Sequence, residues 1–129
     1  MKEKILLIED NEQNRYLATF LLEKHGYSVI SASDGAQGIE AAGRVLPQLI
    51  LLDIQLPSMH GYDVAREIRN NPALTNTPIV AVTSYAMPGD KEKALEAGCN
   101  GYIEKPINPE TFVTEIERYM SNSWKANTP

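Results

Sequence analysis

Short apolar runs alternate with longer amphipathic stretches from one end of this chain to the other, and that order limits the fold more than any single residue does. "KILLI" (Lys4–Ile8), "YSVISA" (27–32), "LILLD" (Leu49–Asp53), "PIVAVTS" (78–84) and "GYIEK" (101–105) read as strands. The stretches between and after them, "NEQNRYLATFLLEKHG", "GAQGIEAAGRV", "GYDVAREIRN", "PGDKEKALEAG" and "NPETFVTEIERYM", read as helices. Leu17, Phe20, Leu21 and Lys24 fall on helical spacing in the first, and Gly26 stops it. Asp34 can cap the second, which its three glycines weaken. Val64 and Ile68 oppose Arg66 on the third. Pro88 opens the fourth and Gly98 ends it. Asn108 caps the fifth, with Pro109 in its first turn and Phe112, Ile116 and Met120 four apart.

Five strands in strict alternation with five helices predict an α/β fold, a doubly wound parallel sheet with helices on both faces. Strands buried on both faces should be continuously apolar, as "ILLI", "LILL" and "IVAV" are, and Pro78 stands where no ladder donor is needed. At 129 residues and 43% apolar composition the chain suits one domain with a single buried core, expected over residues 1–121. Residues 122–129 have no apolar period and are expected to be a loose tail, with no effector domain attached. A net charge of −5 argues against a basic nucleic-acid surface. The lone Cys99 suits a reducing compartment and reads as a small buried hydrophobe. No signal peptide and no run of membrane-spanning length is visible, so a cytoplasmic protein without membrane insertion is expected.

"LILLDIQLP" poses the functional question, because Asp53 ends the most hydrophobic strand. In open α/β sheets, ligands sit beyond the carboxyl ends of the strands. Those ends carry Glu9 and Asp10, then Asp53, then Thr83, with Lys105 after the last strand. Taken singly, Asp10 can cap a helix, Thr83 can fill a strand, and Lys105 can be a solvated charge. An unpaired carboxylate beside a core strand costs several kcal/mol in desolvation, and neighbouring carboxylates repel unless a cation joins them. Oxygen donors with room for water suit Mg²⁺. Convergence at four of the five strand ends favours a functional site.

"LLIEDN", "LILLDIQLPSMHGYDV", "PIVAVTS" and "GYIEKPI", in that order, resemble a response-regulator receiver domain of two-component signalling, over nearly the whole chain. The chain is similar to stand-alone receivers of the DivK type. The resemblance implies a flavodoxin-like (βα)5 fold with strand order 2-1-3-4-5. It also implies that Asp53 is the phosphoacceptor for a sensor histidine kinase or histidine phosphotransfer protein. Glu9, Asp10, Asp53 and the Gln55 backbone carbonyl would hold Mg²⁺; Lys105 and Thr83 would contact the phosphoryl group. Thr83 and Tyr102 would form the switch that alters binding to a downstream protein target. It implies a cis peptide before Pro106 as well, although X-Pro bonds are cis in only about 5–6% of cases.

Some positions vary from the family pattern. Glu9 stands where aspartate is commoner, and Ser84 where alanine is more usual. Gln55 and Tyr85 occupy positions that influence phosphoryl hydrolysis in the family. The output surface is expected on the fourth and fifth helices and fifth strand, with Lys91, Ala94, Tyr102 and Arg118. No D-x-D phosphatase pattern, flavin phosphate loop or G-x-x-x-x-G-K-[ST] loop is present. His25 and His60 occur singly and read as surface residues. The alternative that stays open is a receiver-like binding module that never uses phosphate.

Overall fold

The computed structural model describes residues 3–56, 59–84 and 88–126, with side chains described to Met120. The strands are β1 (Lys4–Ile8), β2 (Ser28–Ala32), β3 (Leu49–Asp53), β4 (Ile79–Thr83) and β5 (Gly101–Glu104). The helices are α1 (Glu12–Lys24), α2 (Gly35–Val45), α3 (Gly61–Arg69), α4 (Asp90–Glu96) and α5 (Phe112–Ala126). All pairings are parallel, in the order β2-β1-β3-β4-β5. This is the doubly wound, flavodoxin-like sheet that the alternation and the resemblance imply.

Every residue of β3 and β4 is buried, as strands covered on both faces must be. The core is divided in two instead of single, because alternate side chains of the strands point to opposite faces of the sheet and feed two layers. Leu6, Ile8, Ile50, Leu52 and Ala81 pack with Ala41 and Ala42 of α2, Val64 and Ile68 of α3, and Ala94 of α4. Ile5, Leu7, Leu49, Leu51, Val80 and Val82 pack with Leu21 and Leu22 of α1 and with Phe112 and Ile116 of α5. Gly38, which weakens α2 as a helix, brings it against the sheet: a Cβ there would lie 2.5 Å from Ile8 Cδ1. Cys99 is buried, and burial pushes its thiol pKa up to about 11.

The differences from the sequence reading lie at helix ends, on helix faces and, by one residue, at the ends of β2, β4 and β5. The α1 cap is Asn11, whose Oδ1 accepts from Asn14 N at 2.9 Å, so Asp10 is free of capping. The buried residues of α1 are Ala18, Leu21 and Leu22, while Phe20 is exposed. Helix α4 begins at Asp90 instead of Pro88, because Gly89 takes the left-handed conformation just before it. Asn108 opens a turn that leads into α5: its Oδ1 accepts from Glu110 N and its carbonyl from Phe112 N. At its far end α5 continues to Ala126, into the segment expected to be loose. No glycine or proline interrupts 112–126, and extending an existing helix is far easier than starting one. Pro57, Tyr85 and 127–129, which figured in the sequence reading, lie outside the described residues.

Candidate functional site

Parallel strands bring their carboxyl ends to one edge, where Glu9, Asp53 and Thr83 lie side by side. They are the only buried polar side chains among the described core residues, at 4%, 3% and 2% exposure. Asp10 is exposed at the mouth. One carboxylate oxygen from each of Glu9, Asp10 and Asp53 can be chosen so that all three lie within 4.8 Å of one another. Such a set, hard oxygen donors with one member open to water, fits a small divalent cation.

Lys105, just past β5, supplies the positive charge. Its Nζ lies 2.7 Å from Glu9 Oε1 and 3.4 Å from Asp53 Oδ2. The Lys105–Pro106 peptide is cis, as the resemblance implies. Glu9 carries the clearest electrostatic signature of the site. Burial, reinforced by the Asp53 carboxylate, pushes its pKa up from 4.5 to about 7 despite the opposing pull of Lys105.

Two polar anchors shape the loops: the Arg15 contacts were not anticipated from sequence, and for Gln55, a position already singled out, its hydrogen bonds were not. Arg15 Nη1 donates to the carbonyls of Glu9 at 2.8 Å and Asp10 at 3.0 Å, which pins the β1–α1 turn that presents both carboxylates. The only sequence signal was an arginine one turn into a helix that follows an acidic pair. Gln55 is the second. Its backbone N–H donates to Asp53 Oδ1 at 3.0 Å, and its side-chain Nε2 donates to Thr83 Oγ1 at 2.8 Å. Its Oε1 accepts from Ser84 N at 3.2 Å. Gly61 backs the loop, because a Cβ there would lie 2.5 Å from Ile54 Cα and 2.8 Å from the Asp53 carbonyl.

The structure thus brings together Glu9, Asp10, Asp53, Gln55, Thr83 and Lys105. Tyr102 sits apart on β5, half-buried against the core, and its hydroxyl is buried with no hydrogen-bond partner among the described residues. Of the expected output surface, Lys91 and Arg118 are exposed, but Ala94 is 1% exposed because α4 turns it onto the core. Leu95, the next residue, is the exposed apolar group of that helix. His25 and His60 are exposed and separate; His60 Nδ1 caps α3 by accepting from Tyr62 N.

The carboxyl edge of a parallel α/β sheet thus carries a buried aspartate, two further acids, a hydroxyl and a lysine. Residues 5–117 match the family model of the response regulator receiver domain, and the chain belongs to that family. It is 37% identical over 123 residues to the polar-differentiation response regulator DivK of Brucella anthropi, covering 95% of this chain and 100% of that protein. A CheY-like response regulator receiver domain from Methanospirillum hungatei JF-1 superimposes with a TM-score of 0.91 at 26% identity, covering 98% of this chain and 100% of that one. The receiver domain of the sensor histidine kinase PA1611 from Pseudomonas aeruginosa PAO1, crystallised with a magnesium ion in its active-site cleft, gives 0.86 at 36% identity. That comparison covers 94% of this chain and 99% of the other. The protein is therefore a receiver domain of two-component signalling, similar to DivK, and not an enzyme in the ordinary sense. No helix among the described residues is long and apolar enough to cross a membrane.

Proposed function

We propose that the protein accepts a phosphoryl group on Asp53 from a sensor histidine kinase or histidine phosphotransfer protein in the cytoplasm, and changes its protein partner in response. The observation that carries this reading is the burial of Asp53 beside Glu9, Thr83 and Lys105. A carboxylate held this far from water is a costly core component, and a charged, positioned nucleophile is what phosphoryl transfer requires.

Asp53 attacks the phosphorus of a phosphohistidine: a P–O bond forms, the P–N bond breaks, and the imidazole nitrogen leaves with the bonding pair. The Gln55 N–H fixes one Asp53 oxygen, which orients the carboxylate for attack. Glu9, Asp10 and Asp53, whose carboxylate oxygens cluster, would hold Mg²⁺ together with the Gln55 carbonyl that the family resemblance implies, and the ion would neutralise charge on the transferring group. Arg15 holds the turn that presents the first two. Lys105 pairs with a phosphoryl oxygen after loosening from Glu9, and Thr83 donates its hydroxyl to another. Water attacking the same phosphorus would later return Asp53 to its free form. The acyl phosphate carries about −1.5 to −2 charge in place of the −1 of the free carboxylate, together with three acceptor oxygens, which draws Thr83 inward and lets Tyr102 follow.

The test is mass spectrometry after incubation with acetyl phosphate and Mg²⁺. Addition of one phosphoryl group, lost in Asp53→Asn, is the expected result. An unmodified wild-type chain would favour a binding module that never uses phosphate.

A further inference from the structure

We infer that the Gln55 side chain is a clip that holds the Thr83–Ser84 segment in its unphosphorylated position, so that phosphorylation must break the clip before the switch can move. This rests on the assignment of Asp53 as phosphoacceptor and goes beyond it. Gln55 is otherwise an exposed residue, yet both ends of its amide are engaged across the gap between the β3 and β4 loops. Nε2 donates to Thr83 Oγ1 and Oε1 accepts from Ser84 N. The two bonds also fix the orientation of the amide, because Oε1 alone can accept the backbone proton.

The same residue is tied to the nucleophile, since its backbone N–H donates to Asp53 Oδ1 at 3.0 Å. Gln55 therefore joins the carboxylate that gains the phosphoryl group to the two donors at the end of β4. Thr83 O–H and Ser84 N–H are two donors at this strand end, among the described residues, that an anion on Asp53 would compete for. While the amide carbonyl holds the Ser84 N–H, that donor is withheld from the phosphoryl oxygens. While the amide N–H₂ donates to Thr83, it helps keep the hydroxyl oxygen in place. A phosphoryl group competes with the clip on better terms, because charge-assisted hydrogen bonds are roughly twice as strong as neutral ones. The clip thus sets how much of the phosphoryl group's interaction is consumed in moving the loop.

Gln55 is a positioning residue in this scheme, and its removal has an unusual sign. Damage to a merely structural contact weakens binding of a phosphoryl analogue, whereas release of a clip strengthens it. The full-length chain and its Gln55→Met variant, which keeps the side chain's length and removes both hydrogen bonds, are titrated with beryllofluoride at saturating Mg²⁺. The Ser84 amide is followed by ¹H–¹⁵N NMR. Two neutral hydrogen bonds lost from the free state predict beryllofluoride binding tighter by roughly 5- to 150-fold. They also predict a Ser84 amide in the free variant displaced toward its beryllofluoride-bound position. Equal or weaker binding, or an unmoved Ser84 amide in the free variant, would overturn the clip. Failure of the wild type to bind beryllofluoride, or an Asp53→Asn variant that binds it as well, would instead overturn the phosphoacceptor assignment.

Discussion

Lys105 is closer to Glu9 than to Asp53, 2.7 Å against 3.4 Å, so in the unmodified protein the lysine leans on the residue that departs from the commoner aspartate. The longer glutamate reaches the ammonium that a phosphoryl group on Asp53 would need. Phosphorylation of Asp53, as proposed, would have to re-aim Lys105 as well as bring in new charge.

Removing that lysine leaves two buried carboxylates facing each other. Lys105→Met is expected to lose about 3–5 kcal/mol of stability at pH 8, the range for removing one partner of a buried pair. Glu9→Gln in the same chain should recover at least half of it, since the repulsion then disappears. Urea denaturation of the wild type, the two single variants and the double variant checks the coupling.

The raised pKa of Glu9 gives a pH dependence whose sign can be worked out. Between 4.5 and about 7 the folded chain keeps a proton on Glu9 that the unfolded chain has released. Stability of the metal-free protein should fall as pH rises through that window, by up to about 3 kcal/mol, and level off above it. A divalent cation favours the ionised carboxylate, so Mg²⁺ affinity should rise over the same interval, by at most about tenfold per pH unit. Denaturation from pH 5 to 8 in chelator and in Mg²⁺, with Glu9→Gln as the reference, measures both. A wild-type curve parallel to that of Glu9→Gln would reject the coupling.

The strand cores were legible because burial on both faces leaves an uninterrupted apolar run; β1 and β3 fall where the sequence placed them. The site was legible because its acids interrupt those runs at their ends, and the family resemblance supplied the roles. What was not legible depends on contacts between segments distant in sequence. Arg15 holding two carbonyls and Gln55 spanning 28 residues to Thr83 leave no periodicity to detect. Helix starts shifted for a local reason: neighbouring residues compete for the cap, and Asn11 prevailed over Asp10. Ala94 was misplaced because α4 has only seven residues, too few for a buried stripe to declare itself.

Gly61 tests how closely the Asp53 loop must be backed. The nearest atoms to an added Cβ are backbone, Ile54 Cα and the Asp53 carbonyl, which cannot swing aside as a side chain would. Gly61→Ala should destabilise the fold by about 1–3 kcal/mol through overpacking. With Asp53 as the proposed phosphoacceptor, it should also slow phosphorylation by acetyl phosphate, because it displaces the carboxylate that would attack. Thermal denaturation and the rate of mass gain measure the two effects. An unchanged rate would mean that the loop accommodates the methyl group elsewhere.

The last prediction concerns Tyr102, whose ring packs on the core while its buried hydroxyl lacks a hydrogen-bond partner among the described residues. Leaving a buried hydroxyl unpaired costs about 1–3 kcal/mol, so the inward position of Tyr102 is held by its ring and opposed by its polar tip. That balance suits a side chain that changes position when Thr83 is drawn toward a phosphoryl group. Tyr102→Phe removes the opposition and keeps the ring, so it should match or exceed the wild type in stability of the unmodified form, by up to about 1 kcal/mol. Tyr102→Ala removes the ring too and should lose about 2–3 kcal/mol, below the range for a fully buried aromatic because the residue is half-buried. If Tyr102 joins the site to an output surface that includes Lys91, Leu95 and Arg118, beryllofluoride should change partner affinity by roughly 5- to 150-fold in the wild type. The change should shrink in Tyr102→Phe, where the inward rotamer has lost its penalty. Calorimetric binding of a cognate kinase domain to both forms of each variant measures it. The same beryllofluoride effect in wild type and Tyr102→Ala would exclude Tyr102 from the switch.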